Sequence, residues 1–235
     1  MGVTAIVLAA GKGSRLRSKI SKPLTRILNR PLIAYSLSEF QRSKDIAEII
    51  IVCNNGNRLE LEKIVKKYRF SKVRGIVEGG KRRQDSVLNG LLHIDSSSEI
   101  VLIHDSARPF IDGSIIKNSV SLARRFGASV VAVPVKYTVK ESSKDTGKTF
   151  FYVKKTLARE NIWEIQTPQV FKTEWLKTGL ARFNDIDITD DSGFVERLKK
   201  KVYLSMGSYY NIKVTTPEDI VIAQAIAGKL KKRGP

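Results

Sequence analysis

The chain has 235 residues, 42% of them hydrophobic, and a single cysteine, enough to bury an α/β core without a disulfide or metal staple. Forty-two Lys and Arg stand against 23 Asp and Glu, a formal charge of +19, which points to an anionic ligand or partner. No apolar run approaches the roughly 18 residues of a membrane span, and the apolar stretch at the N-terminus runs into a glycine loop rather than a cleavage site. A membrane partner is therefore not expected. Cys53, closing the run Ile49-Ile50-Ile51-Val52, suits a small buried residue in a reducing, cytoplasmic setting. The basic residues are spread along the chain without a zinc-finger spacing or an RNA-binding aromatic signature, so nucleic acid is not the expected partner either.

Val3–Leu8 is a nearly continuous apolar run of the kind found in strands buried on both faces. Further strands are predicted over residues 48–52, 73–77, 100–104 and 129–135, with amphipathic helices over 31–40, 59–68, 83–92 and 114–126. This alternation implies one doubly wound, mostly parallel α/β sheet with helices on both faces. Residues 136–159 are polar, with Lys144-Asp145-Thr146-Gly147-Lys148 at their middle, and read as a protruding β-hairpin arm. Helices near 173–183 and 190–200 and strands near 202–205 and 209–214 follow. The last helix opens at Thr216-Pro217-Glu218-Asp219, where an N-cap threonine, an N1 proline and first-turn acids favour initiation. Without repeats or a linker, a single domain over 1–235 with an arm at about 136–160 is expected.

The first strand runs into Ala9-Ala10-Gly11-Lys12-Gly13-Ser14-Arg15, where small residues let backbone N–H groups approach an anion and a basic side chain follows. Leu16 stands where a dinucleotide fingerprint would place its third small residue, and the P-loop spacing is absent. Taken alone, the loop leaves an ordinary tight turn as the lesser alternative. Lys22, seven residues after Arg15, supplies a second cation to flank a triphosphate, as phosphoryl-type transfer requires. The fourth strand ends in His104-Asp105-Ser106-Ala107-Arg108-Pro109, and ligands of open α/β sheets bind outside the carboxyl ends of strands. Asp105 there suits Mg²⁺; a helix cap or a salt bridge to Arg108 would serve it as well. His104, inside a strand with no second histidine nearby, reads as structural. Glu78-Gly79-Gly80-Lys81-Arg82-Arg83-Gln84-Asp85-Ser86 makes a second glycine turn, with room for a flat base.

Together these segments resemble the 2-C-methyl-D-erythritol 4-phosphate cytidylyltransferases of the non-mevalonate isoprenoid pathway. The likeness runs through LAAGKGSR, EGGKRRQDSVLNGL, HDSARPF, VPVKYTVKES, LARENIWEIQTPQVF, TDDSGFVE and NIKVTTPED. The resemblance implies a Rossmann-like nucleotidyltransferase that moves CMP from CTP to a sugar-alcohol phosphate. It implies that Ala9, Ala10, Gly11, Gly13, Gly79 and Ser86 surround CTP and that Arg15 and Lys22 stabilise the transition state. Asp105 would hold Mg²⁺ or fix the acceptor, which Arg108, Thr138, Thr167 and Thr189 bind and which Arg159 and Lys213 position for attack. It also implies a homodimer in which the arm lends Thr138 and Arg159 to the neighbour's site. Two positions depart from the family pattern: Tyr137 where Asp is usual, and Pro23 after Lys22 where Gln is usual. A ribitol 5-phosphate cytidylyltransferase is the nearest rival, but this chain has Ala10 where those enzymes tend to have glycine, and Val139-Lys140 after the arm's threonine, which they lack.

Overall fold

A computed structural model of the protein describes residues 2–11, 20–145 and 149–232. The elements in chain order are β1 (Val3–Leu8), β2 (Arg26–Ile27), β3 (Arg30–Pro31), α1 (Leu32–Arg42), β4 (Ile46–Cys53), α2 (Arg58–Tyr68), β5 (Val73–Glu78), α3 (Arg83–Leu91), β6 (Ile100–Asp105), α4 (Gly113–Phe126) and β7 (Ala128–Pro134). The arm β8 (Lys140–Lys144) and β9 (Phe151–Thr156) follows, then β10 (Trp163–Lys172), α5 (Thr173–Arg182), α6 (Ser192–Arg197), β11 (Tyr203–Met206) and α7 (Pro217–Lys232). Among the described residues, the central sheet has seven strands in the order β11-β7-β10-β6-β1-β4-β5. Neighbours are parallel except at β10, which runs antiparallel between β6 and β7. β8 and β9 form a separate two-stranded sheet.

Side-chain alternation sorts the strands onto two cores. Val3, Ala5, Val7, Ile49, Ile51 and Leu102 pack with Leu37 and Phe40 of α1, Leu61 of α2 and Val120 of α4. Ile6, Ile50, Val52, Val101, Ile103 and Phe171 face the other way, onto Leu91 of α3, Leu176 of α5 and Phe194 of α6. A third cluster, with Ile27, Phe110, Val214 and Ile226, seats α7 against the loop after β6. The caps match local chemistry: the Asp112 carboxylate accepts from Ile115 N at 2.9 Å at the start of α4, and that of Asp219 accepts from Thr216 N at 2.8 Å at the start of α7.

Two sequence expectations are corrected. Residues 209–214 form no strand; their backbone lies in turns and extended coil and is tied to neighbouring loops instead of a ladder. Conversely, β10 is a full strand of the sheet centre that the pattern did not reveal. Pro168, which follows Thr167 through a cis peptide, breaks its register between Ile165 and Gln169, and a proline argues against a central strand when only sequence is read. The helix expected at 190–200 is shorter, Ser192–Arg197.

His104 is fully buried on β6. Its Nε2 lies 3.0 Å from the Arg108 carbonyl, which only accepts, so this nitrogen carries the proton. Nδ1 then accepts from the Thr167 hydroxyl at 3.1 Å, and the same Thr167 oxygen accepts from Asp105 N at 3.1 Å. Burial, opposed by the Arg108 carbonyl, lowers the imidazole to about 4. It is structural, as expected from its place in a strand.

Two outcomes follow for stability. Above pH 6.5 His104 is neutral in both folded and unfolded chains; as pH falls to about 4 the unfolded chain takes up a proton that the fold refuses, so stability declines. Urea unfolding should register a loss of about 3 kcal/mol across that window, and His104→Gln should flatten the slope by that amount; equal slopes would refute this. Separately, an added Cβ at Gly90 would lie 2.7 Å from Ile6 Cγ2, so Gly90→Ala should cost about 1–3 kcal/mol despite the better helix former. Gly228→Ala on α7, with open space around it, should be neutral or stabilising by up to about 1 kcal/mol in the same melts.

Candidate active site

Order reverses across β1: β4 and β5 lie on one side, β6 and the rest on the other. The carboxyl ends of β1 and β6 therefore open a crevice, the usual ligand position in such sheets. A cleft of about 1250 Å³ occupies it. Ala9, Ala10 and Gly11 line it from the end of β1, Lys22 and Pro23 from a short 3-10 turn, Gly79 and Gly80 from the turn after β5, Ser86 from α3, and Asp105 and Lys213 complete the lining. Gly13 and Arg15 lie outside the described residues.

Two asparagines set the backbone of the first loop. Asn54 Nδ2 donates to Ala10 O at 3.0 Å, and Asn57 Nδ2 donates both to Ala9 O and to Ser21 Oγ at 2.9 Å. Asn57 is fully buried and so ties the loop to the residue preceding Lys22. The second glycine turn touches the first: a Cβ on Gly79 would lie 2.6 Å from Ala10 Cβ and 2.8 Å from Ser86 Oγ, which only glycine permits. Ser86 Oγ accepts from Gly80 N at 3.1 Å and so shapes this turn.

A second pocket of about 410 Å³ lies beyond Asp105, with Arg108, Thr167, Thr189, Asp190 and Gln169 among its walls. Arg83, Asp105 and Lys213 line both spaces and form the partition between them. Lys213 Nζ is 2.6 Å from Asp105 Oδ2, and Arg83 Nη2 is 3.4 Å from Oδ1. Burial works against the Asp105 charge, but Arg83 and Lys213 hold its carboxyl well below the ordinary range. Arg83 also makes a bidentate pair with the fully buried Asp191, at 2.7 and 2.8 Å. Burial alone would lower the Arg83 guanidinium, yet Asp191 and Asp105 together raise it.

Arg108 differs from these. Nη1 donates to Asn211 O at 2.8 Å and Nη2 to Ile165 O at 3.3 Å, while Nε is buried without a partner. Burial lowers this guanidinium, against the pull of Asp105 and Glu164, and carbonyl oxygens rather than a paired carboxylate face it. A half-buried cation so arranged keeps charge free to meet an anion. Thr138 and Arg159 line neither space of their own chain; both are exposed at the root of the arm, where Arg159 Nη1 donates to Lys136 O at 3.1 Å. Among the described residues no group of three or more His, Cys, Asp or Glu is placed to hold a metal ion.

Sequence reading missed Arg83, Asp191, Asn57 and Asn211. Arg83 and Asp191 lie inside the segments EGGKRRQDSV and TDDSGFVE, yet nothing local separates Arg83 from Arg82, or Asp191 from Asp190.

The model of the IspD family, 2-C-methyl-D-erythritol 4-phosphate cytidylyltransferase, matches residues 3–229. Proteins of that name from Clostridium novyi (strain NT) and Clostridium acetobutylicum are each 42% identical to this chain; alignment covers 97% of both chains for the first, and 96% of this chain and 97% of the relative for the second. Of solved structures, 4-diphosphocytidyl-2C-methyl-D-erythritol synthase from Anaerococcus prevotii superposes with a TM-score of 0.85 at 32% identity, covering 97% of this chain and 96% of that one. The cytidylyltransferase from Thermus thermophilus does so at 0.76 and 28%, covering 97% and 100%. With the match spanning both glycine turns, the Asp105 partition and the arm, the chain belongs to the 2-C-methyl-D-erythritol 4-phosphate cytidylyltransferase family.

Proposed function

We propose that this enzyme transfers CMP from CTP to 2-C-methyl-D-erythritol 4-phosphate with CTP in the larger cleft and the acceptor in the smaller pocket, so that the reacting phosphates meet at the Asp105–Lys213 partition. The observation that carries this reading is that two separate spaces share one charged wall. An acceptor phosphate oxygen attacks the α-phosphorus in line; one P–O bond forms, the bridging P–O bond to the β-phosphorus breaks, and pyrophosphate leaves. A phosphate monoester is already nucleophilic at neutral pH, so the site needs orientation and charge rather than a general base.

Arg108 receives the acceptor phosphate, since its guanidinium meets only carbonyls within the fold. Lys213 holds the nucleophilic oxygen toward the cleft, while Lys22 and Arg15 meet charge developing at the α-phosphate. Thr189 offers its hydroxyl to the polyol, and Thr167, whose proton goes to His104 Nδ1, has one lone pair left to accept from it. Ala10 and Gly11 bring backbone N–H groups to the triphosphate, with Gly13 next in the same loop, while Ala9, whose N–H donates to Val52 O at 2.7 Å, anchors the loop to the sheet; Gly79 and Ser86 shape the base pocket. Asp105, an ionised carboxylate at the partition, would hold Mg²⁺, and the metal would neutralise phosphate charge when bound. Two water-soluble phosphates as substrates suit the cytoplasm, and no described helix is long and apolar enough to cross a membrane.

The arm supports a homodimer. Phe150 and Phe151 are 71% and 70% exposed, with Tyr152 and Val153 beside them; such a strip on a two-stranded hairpin needs a covering surface. A second copy seated there would receive Thr138 and Arg159 at its acceptor pocket, which explains why they line neither space of their own chain.

With CTP, Mg²⁺ and methylerythritol phosphate, the purified protein should release pyrophosphate and the cytidylylated polyol. Arg108→Ala should raise KM for the acceptor by about tenfold or more while KM for CTP stays within about twofold; a rise for CTP alone would overturn the assignment of the two spaces. Mixing Arg159→Ala with Lys213→Ala subunits should recover about a quarter of wild-type turnover, because half the dimers then hold one intact shared site. No recovery after subunit exchange would refute shared sites.

A further inference from the structure

Lys213 sits in the segment that sequence alone predicts as a strand and that the structure leaves without ladder bonds. Regular secondary structure therefore does not fix its backbone, and something else must, because a misplacement of about 1 Å at a reacting group costs up to 100-fold in rate. Two tethers bracket it. On the C-terminal side, Val214 N donates to Ala107 O at 2.9 Å and the Val214 side chain is fully buried in the α7 core. On the N-terminal side stands Asn211, also fully buried.

The Asn211 amide is committed on its nitrogen. Nδ2 donates to Thr167 O at 2.9 Å and to Gln166 Oε1 at 3.0 Å, both of which can only accept, so the amide orientation is fixed by its partners. Gln166 in turn donates to Ser208 O at 2.9 Å, closing the turn that leads into this segment. The backbone carbonyl of Asn211 accepts from Arg108 Nη1 at 2.8 Å. One residue thus joins strand β10 bearing Thr167, the loop bearing Arg108 and the segment bearing Lys213. Those three side chains face the acceptor pocket, whereas Asn211 itself lines neither space.

We infer that Asn211 is a positioning residue for the acceptor side of the reaction: its carboxamide sets the Lys213 backbone, and its carbonyl sets the Arg108 guanidinium, relative to Thr167. This inference rests on the function proposed above, and a wild-type enzyme that makes no cytidylylated polyol would fail that reading before this one is reached.

The test is steady-state kinetics of Asn211→Ala and Asn211→Ser, each normalised to folded protein by thermal melting and CTP binding. Both variants should lose about 10- to 100-fold in kcat/KM for methylerythritol phosphate, with KM for CTP within about twofold of wild type. Serine, which keeps a short donor, should recover part of the alanine loss. In a Lys213→Ala background, Asn211→Ala should cost far less than it does alone, since its target is gone. Loss that tracks only the folded fraction, equal effects on both substrates, full additivity with Lys213→Ala, or failure of both variants to fold would each assign Asn211 to the structural core and overturn the inference.

Discussion

The ionised carboxylate of Asp105 is the constraint around which the site is organised. Leu8 and Asp105 end adjacent parallel strands in register, so the first glycine loop and this carboxylate emerge side by side from the sheet. Burial alone would neutralise it; Arg83 and Lys213 keep it charged, and Asp191 gives the half-buried Arg83 a second carboxylate partner. Such a network is satisfied only as a whole, because removing one member strands a buried charge on the next. The wall between the two pockets thereby rests on one charge network.

The rest of the architecture supplies that wall from distant parts of the chain. α3 brings Arg83, β6 brings Asp105, the loop before α6 brings Asp191 and the coil before α7 brings Lys213. The insertion of antiparallel β10 beside β6 is what places Thr167 against His104 and Asp105, giving the smaller pocket its floor. The separate β8–β9 hairpin has Thr138 and Arg159 at its root, away from the pockets of their own chain.

Much of this was legible from residue order. The β1 to β7 alternation, the two glycine turns and the arm all rest on local chemistry: apolar runs of strand length, small residues where backbone must approach an anion, and a polar turn between β-branched flanks. Ala9 to Gly11, Gly79, Ser86, Asp105, Arg108, Thr167 and Lys213 do converge, and His104 is structural as its lone position in a strand implied. The long strand β10 was hidden because Pro168 interrupts the pattern that strands advertise, and residues 209–214 mimicked a strand because their alternation of apolar and polar residues serves a core contact at Val214 and a buried amide at Asn211 instead.

Sequence by itself determined the sheet's class, the two glycine turns and the family to which their motifs belong, because each depends on a few neighbouring residues. Tertiary structure alone decided that Asn54 and Asn57 hold the first loop's carbonyls, that Arg83 rather than Arg82 pairs with Asp105, that Asp191 balances it, and that Lys213 reaches Asp105. Those outcomes are pairings across tens to more than a hundred residues of chain, set by which groups burial forces to find partners, and no local pattern encodes which partner each will find.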